Sequence, residues 1–317
     1  MTDPAATPHH PIAIVGAGMA GLACARRLTL AGHAVVLFDK GRAPGGRLAT
    51  RRMQTWQFDH GAQYVTARDG GFAAELADLV ATGAAAPWEA GAAGAHVGTP
   101  GMSALPRAFA ADMTIHCGTP VTALARTQDG WRLRVGETEH RATRLVMTLP
   151  APQAAALLGD DPLAARLAAV RMAPCWTLMA AVDAPAPFVV RRDATAALTW
   201  ISHDGAKPGR VAHDRITTWV AQASEAFSTT HLERAPEAAR ALMLPSLLAA
   251  IGADPSAVRF ATAHRWRFAR VTAPLGTPFL RDDTGTLYLG GDWCLAARVE
   301  AAYASGCAIA DALIAAA

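Results

Sequence analysis

From His10 to Lys40 the apolar positions fall into two short unbroken runs flanking an amphipathic one. Pro11–Val15 predicts a strand buried on both faces, Leu22–Leu30 a helix closed by Gly32, and Ala34–Phe38 a second buried strand ending on Asp39. Further on, Phe72, Leu76 and Leu79 recur at helical spacing and predict a helix over Phe72–Thr82. Gly101–Ala111 predicts a short helix with Ser103 as its cap. Thr114–Cys117, Val121–Thr127, Gly130–Val135 and Arg144–Leu149 predict strands, with Gln128-Asp129-Gly130 as a hairpin turn. Ala151–Val170 predicts two short helices broken at Gly159 and Pro162. Cys175–Val182, Ala197–Ser202 and Ile216–Ala221 alternate large and small residues, as an antiparallel sheet would. Ser228–Gly252 is helical with a break near Pro236 or Pro245. Val258–Arg265 runs into His264-Arg265-Trp266-Arg267, and Leu287–Leu289 predicts a short strand ahead of a last helix over Val299–Ala316. Gly83–Gly98 reads as loop or irregular strand.

The two ends are thus strand–glycine–helix units, and the middle is mostly strands. This order predicts an α/β (α+β) fold, a Rossmann-type dinucleotide-binding domain carrying an inserted antiparallel-sheet domain. The expected limits are 9–66, 99–150 and 284–317 for the first domain, with 67–98 and 151–283 for the second.

Composition narrows the class. The 317 residues are 52% apolar, so the chain can build a large core. A net charge of +3 with no basic run excludes a nucleic-acid surface. No stretch is apolar enough to span a bilayer, and residues 1–10 lack the apolar region of a signal peptide. The five cysteines form no C-x-x-C pair, which suits a reducing, cytoplasmic setting. The histidines show neither i,i+4 pairing nor cysteine partners at zinc spacing, so no metal site is expected.

The candidate chemistry begins at Gly16-Ala17-Gly18-Met19-Ala20-Gly21, a G-x-G-x-x-G between a predicted strand and helix. In such a turn Gly16 bends the chain, Gly18 lets a pyrophosphate approach the backbone, and Gly21 lets helix and strand pack closely. The phosphates would then meet free N–H groups at the positive end of the helix dipole. Asp39 is placed to accept hydrogen bonds from a ribose. Arg47, after Gly45-Gly46, is a fixed cation near the phosphates. Gln57–Val65 mixes strand formers with a central Gly61, so the backbone there bends or approaches something closely. Gly290-Gly291-Asp292 is a second glycine turn before a helix, where Asp292 could accept hydrogen bonds from a polyol.

Together with FDKGRAPGGR (38–47), DHGAQYVTARD (59–69), GMSAL (101–105), TLPAPQAAALL (148–158), AHRWRFAR (263–270) and GGDWCLAARVEAAYASG (290–306), these motifs resemble FAD-dependent amine-oxidase-like flavoproteins, most of all those of the bacterial renalase kind. The resemblance implies a p-hydroxybenzoate hydroxylase-like fold with non-covalent FAD. It implies oxidation of isomeric dihydronicotinamide dinucleotides to β-NAD(P)+, with O2 as electron acceptor and hydrogen peroxide as product. It places Gly16, Gly18, Met19, Ala20 and Gly21 at the pyrophosphate, and Asp39 and Lys40 at the ribose and adenine. Gly46 and Arg47, with Asp59, His60, Gly61, Ala62 and Gln63, would line the path to the isoalloxazine. Met102, Ser103 and Val121 would lie along the cofactor, Asp292 would hold the ribityl chain, and Val299 would offer its N–H to the ring. Ala301 stands where many relatives carry glycine, and could crowd the helix start. Only Cys294 lies near the C-terminal motif, and it follows the Gly-Gly-Asp, so no covalent flavin link is expected. Hydride transfer needs no acid–base pair, so the catalytic candidates are pocket residues: Gln63, Tyr64, His264, Arg265 and Trp266. An amine oxidase or desaturase on the same scaffold, and a non-catalytic dinucleotide-binding redox sensor, are the alternatives.

Overall fold

A computed structural model describes residues 10–53 and 55–316. The polar stretch 1–9, including the expected domain limit at residue 9, lies outside them. The chain opens with β1 (Ile12–Val15), α1 (Met19–Leu30) and β2 (Val35–Asp39). β3 (Thr50–Met53) and β4 (Trp56–Asp59) form a hairpin, followed by α2 (Gly70–Ala81). The alanine- and glycine-rich stretch after α2 contains a second small hairpin, β5 (Ala85–Pro87) with β6 (His96–Gly98). Next come α3 (Ala104–Phe109), β7 (Ile115–Cys117), and an antiparallel meander of β8 (Val121–Thr127), β9 (Gly130–Val135) and β10 (Thr138–Ala142). β11 (Arg144–Met147), α4 (Ala151–Leu158) and α5 (Pro162–Arg166) complete this half.

The inserted sheet is built from β12 (Arg171–Asp183), β13 (Val190–Arg192), β14 (Leu198–His203) and β15 (Ile216–Ala223), then α6 (Glu225–Thr230), α7 (Pro236–Ile251) and β16 (Val258–Ala273). Pro236 starts α7 and Pro245 lies inside it, so the break falls between α6 and α7. The chain returns through β17 (Leu280–Arg281), β18 (Leu287–Leu289) and α8 (Val299–Ile314).

The main sheet has the order β17-β18-β11-β1-β2-β7 and is parallel except for β17. Its strands are buried runs of Ile, Val and Leu because helices cover one face and the meander with α4 and α5 covers the other. α8 packs along α1 so closely that a Cβ on Gly306 would sit 2.1 Å from the Ala20 carbonyl oxygen.

The inserted sheet, ordered β13-β14-β15-β12-β16, is antiparallel throughout. One face, with Trp176, Leu178, Trp219 and Ala263, is sealed by α7. The other faces the β3–β4 hairpin and the segment after it, where Phe58 packs on Met179, Ala181 and Val220. Phe72, Leu76 and Leu79 of α2 share one core with α1 and α8, and Leu163 and Leu167 share the core of the main sheet. α2 and the 151–170 segment thus pack on the main-sheet half, while Trp88, later in the 67–98 segment, packs on Trp200 of the inserted sheet. Chain order alone does not reveal these partners.

Candidate active site

The first turn closes on itself. Gly16 has φ +108°, and its N–H donates to the Phe38 carbonyl at 2.8 Å. A Cβ on Gly21 would lie 1.9 Å from the Gly16 carbonyl oxygen, whereas one on Gly18 would meet nothing within 4 Å. The space over Gly18 is open, and no side chain caps α1 there. Free N–H groups of Met19, Ala20 and Gly21 above an open cradle are what a pyrophosphate requires. The Asp39 carboxylate accepts from the Ala17 N–H and the Gly41 N–H, both at 2.6 Å. It therefore shapes this turn. Lys40 is exposed.

Gly45 donates to the Ala17 carbonyl, and Gly46 lies against Gly18, so Arg47 enters directly beyond the cradle. Its guanidinium forms a bidentate pair with Asp292 at 2.6 and 2.9 Å and also donates to the Ala269 carbonyl. The two glycine signatures, far apart in sequence, thus meet at one ion pair. Val299 begins α8 nearby, and that helix has no side-chain cap. Ala301 is buried in its first turn. Trp293 is wholly buried and donates to the Leu149 carbonyl, a packing role. Burial pushes the Cys294 thiol up to about 12, so it stays protonated. Val121 is half-buried at the start of the meander.

The 59–63 loop runs from Arg47 to the inserted sheet. The Ala62 N–H donates to the Arg47 carbonyl, and a Cβ on Gly61 would fall 2.0 Å from that same oxygen. Among the described residues, the N–H groups of His60, Gly61 and Gln63 find no acceptor in the chain although these residues are buried. The side-chain atoms His60 Nδ1 and Ser103 Oγ are also buried without a partner. Buried donors without acceptors fit a planar ring rimmed by nitrogen and carbonyl oxygen. Ser103 starts α3 by position, yet makes no side-chain cap bond. Met102 is buried, and its N–H donates to Asp59.

Strand alternation decides which candidates reach this loop. His264 and Trp266 of β16 point toward it, with His60–His264 and His60–Trp266 ring centroids at 4.8 and 5.1 Å. The Trp266 Nε1–H donates to the His60 carbonyl at 2.7 Å. Arg265, between them, lies on the opposite face, stacked 5.8 Å from Trp176 and bonded to Leu232 O and Glu233. Its expected place in the pocket is therefore corrected: neighbouring residues on a strand point to opposite faces. Burial, reinforced by the charges of His264 and Arg51, lowers His60 to about 3. Burial and Arg51 lower His264 to about 4. Both imidazoles are neutral at pH 7.

Asp59, at the head of this loop, is itself tied down by charge. Its side chain is fully buried and held by Thr50, the Met102 N–H, Lys207 and Arg210. Burial would raise its carboxyl, but Lys207 and Arg210 reverse this and hold it low. Asp204, equally buried, pairs with Lys207 at 2.7 Å and accepts from the Asp59 N–H; burial keeps its carboxyl high despite Lys207. The Asp204, Lys207 and Arg210 partners come from the β14–β15 connection and carry no sequence motif, so nothing in the chain's pattern announced them. On the far side of the loop Tyr64 packs with Trp88 and Trp200. The Arg192 guanidinium lies 4.8 Å from the Trp200 ring and 5.9 Å from Tyr64.

A family model described as flavin containing amine oxidoreductase matches residues 70–314, and one for an NAD(P)-binding Rossmann-like domain matches 14–79. A 4,4'-diapophytoene desaturase from Staphylococcus haemolyticus is 43% identical over 58 residues, 18% of this chain and 12% of that protein. A putative flavin-containing monooxygenase of Arabidopsis thaliana is 50% identical over 44 residues, 14% of this chain and 10% of its own. The matched stretch thus spans about a tenth of either relative. Among solved structures, a putative protoporphyrinogen oxidase from an Exiguobacterium species superposes with TM-score 0.73 at 15% identity, covering 98% of this chain and 100% of the other. A cyclohexylamine oxidase from Brevibacterium oxydans superposes with TM-score 0.71 at 14% identity, covering 97% and 99%. These two show the fold.

Proposed function

The chain belongs to the flavin-containing amine oxidoreductase family, and from that premise we propose that it is a renalase-like oxidase of 1,2- or 1,6-dihydro-NAD(P). Dihydronicotinamide, a proton and O2 give β-NAD(P)+ and H2O2. Bound FAD supplies the hydride acceptor and the route of two electrons to oxygen. The protein's part is to hold the donor carbon within about 3–3.5 Å of the acceptor and to exclude water. His60, His264 and Trp266 supply flat, uncharged walls for a dihydropyridine, while Gln63 holds the loop from behind and Tyr64 lines its far side with Trp88 and Trp200.

One observation carries the substrate class: the charges around the site are positive. Arg192 lies over Trp200 and Tyr64, and the charge of Arg51 acts on both histidines. The nearby carboxylates, Asp59 and Asp204, are buried and paired. This surrounding favours the dianionic pyrophosphate of a dinucleotide and opposes a protonated amine. The high pKa and burial of Cys294 support non-covalent flavin. Amine oxidation or desaturation is the second reading, favoured by the family match itself.

The test is anaerobic stopped-flow with the purified yellow protein. Rapid bleaching of the flavin by an isomeric dihydronicotinamide mixture, with none by 1,4-NADH or monoamines, is expected. Bleaching by a monoamine and not by the isomers would promote the second reading.

A further inference from the structure

We propose that Lys207 is a positioning residue for the flavin loop: its ammonium fixes the orientation of the Gln63 amide, and through it the backbone of residues 59–63. The proposal rests on the reading of that loop as the contact with the isoalloxazine ring.

Lys207 and Gln63 are both buried. The Lys207 Nζ lies 3.2 Å from Gln63 Oε1, and Ser202 Oγ donates to the same oxygen at 3.0 Å. An ammonium has three donors and no acceptor. The Gln63 amide must therefore turn its oxygen to Lys207. That leaves Nε2 facing the loop, where it donates to the Asp59 carbonyl at 2.5 Å and the Gly61 carbonyl at 3.1 Å. Gln222 of the inserted sheet donates to the Gly61 carbonyl as well, at 2.8 Å. With its carbonyls drawn inward, the loop is left with the unpaired N–H groups of His60, Gly61 and Gln63 for another acceptor. A flipped amide would place an oxygen against two carbonyl oxygens and break the stitch.

Lys207 also belongs to a balanced quartet with Asp59, Asp204 and Arg210. A purely structural lysine would serve only that balance, and the two roles separate experimentally. Lys207→Met leaves a net buried negative charge. Lys207→Met with Asp204→Asn restores neutrality but not the donor to Gln63. Gln63→Met removes the stitch without changing any charge.

The measurements use the flavin-loaded full chain: FAD release on dilution, followed by flavin fluorescence, and amide hydrogen exchange over residues 59–64. For the double variant the thermal transition should stay close to wild type. Its FAD dissociation constant should rise about tenfold, as for a lost charge-assisted hydrogen bond, with faster exchange in the loop. Gln63→Met should match it. Wild-type FAD affinity and loop exchange in the double variant would overturn the proposal. Should the double variant not fold, Gln63→Met decides alone, with wild-type FAD affinity again overturning it. None of these readouts involves a substrate, so they stand apart from the stopped-flow result.

Discussion

At Gly18 the backbone has φ −76°, which any residue adopts, and an added Cβ would touch nothing. Gly18→Val should therefore fold like wild type while its branched side chain fills the phosphate cradle and abolishes FAD retention. Asp39→Ala removes two backbone hydrogen bonds in the turn and those to the ribose, weakening FAD binding by about 1–3 kcal/mol. Flavin content after gel filtration measures both, and equal loading in all three proteins would move the cofactor away from this turn. His60 and His264 make a second residue-scale prediction. Their folded pKa values, about 3 and about 4, lie below the ordinary histidine value of 6.5. Between those limits the unfolded chain binds protons that the folded chain does not. Their contribution to stability is complete above pH 6.5 and is lost as the pH falls toward 4, each histidine adding up to about 1.4 kcal/mol per pH unit. Thermal melts from pH 7 to 4.5 should show this slope, and His264→Asn should shallow it.

At the scale of elements, β16 divides its motif between two tasks. His264 and Trp266 face the 59–63 loop, while Arg265 stacks on Trp176 and reaches the exposed Glu233. Trp266→Ala should slow flavin reduction by an order of magnitude or more, since the stacked wall and the hydrogen bond to the His60 carbonyl both go. Arg265→Ala should leave that rate nearly unchanged and lower stability by about 1 kcal/mol, its ion pair being largely exposed. Stopped-flow rates and urea midpoints on the two variants separate the faces. Equal loss of rate in both would mean that β16 is presented the other way round.

For the whole molecule, the main sheet brings the turns after β1 and β18 together with Arg47, and Arg192 and Arg51 add positive charge on the side of the inserted sheet. Binding of a dinucleotide should therefore weaken as salt rises through the range where the Debye length falls below about 10 Å. Arg192→Gln should cost about 1 kcal/mol, or about fivefold in Kd, and flatten the salt dependence. Titration of oxidised NAD against the flavin spectrum at two ionic strengths measures both. No helix among the described residues is long and apolar enough to cross a membrane.

Much of this architecture is local in origin and could be read from the chain. The strand, the glycines and the helix of residues 11–30 dictate their own turn, because sterics at Gly16 and Gly21 act over a few residues. Period-two alternation likewise announced most of the inserted sheet, although the short β3, β10, β13 and β17 escaped it and β5 with β6 showed only as loop or irregular strand. The ends of the chain also carried matching glycine signatures, yet only folding shows that they meet, through Arg47 and Asp292. Tertiary structure alone decided the rest. Side-chain facing on β16 depends on which surface α7 covers, and that removed Arg265 from the pocket. α2 lies against α1 and α8, and α5 against the main sheet, because their apolar side chains found partners there. Asp59 turned inward because Lys207 and Arg210, some 150 residues away, bring the positive charge that makes its burial tolerable.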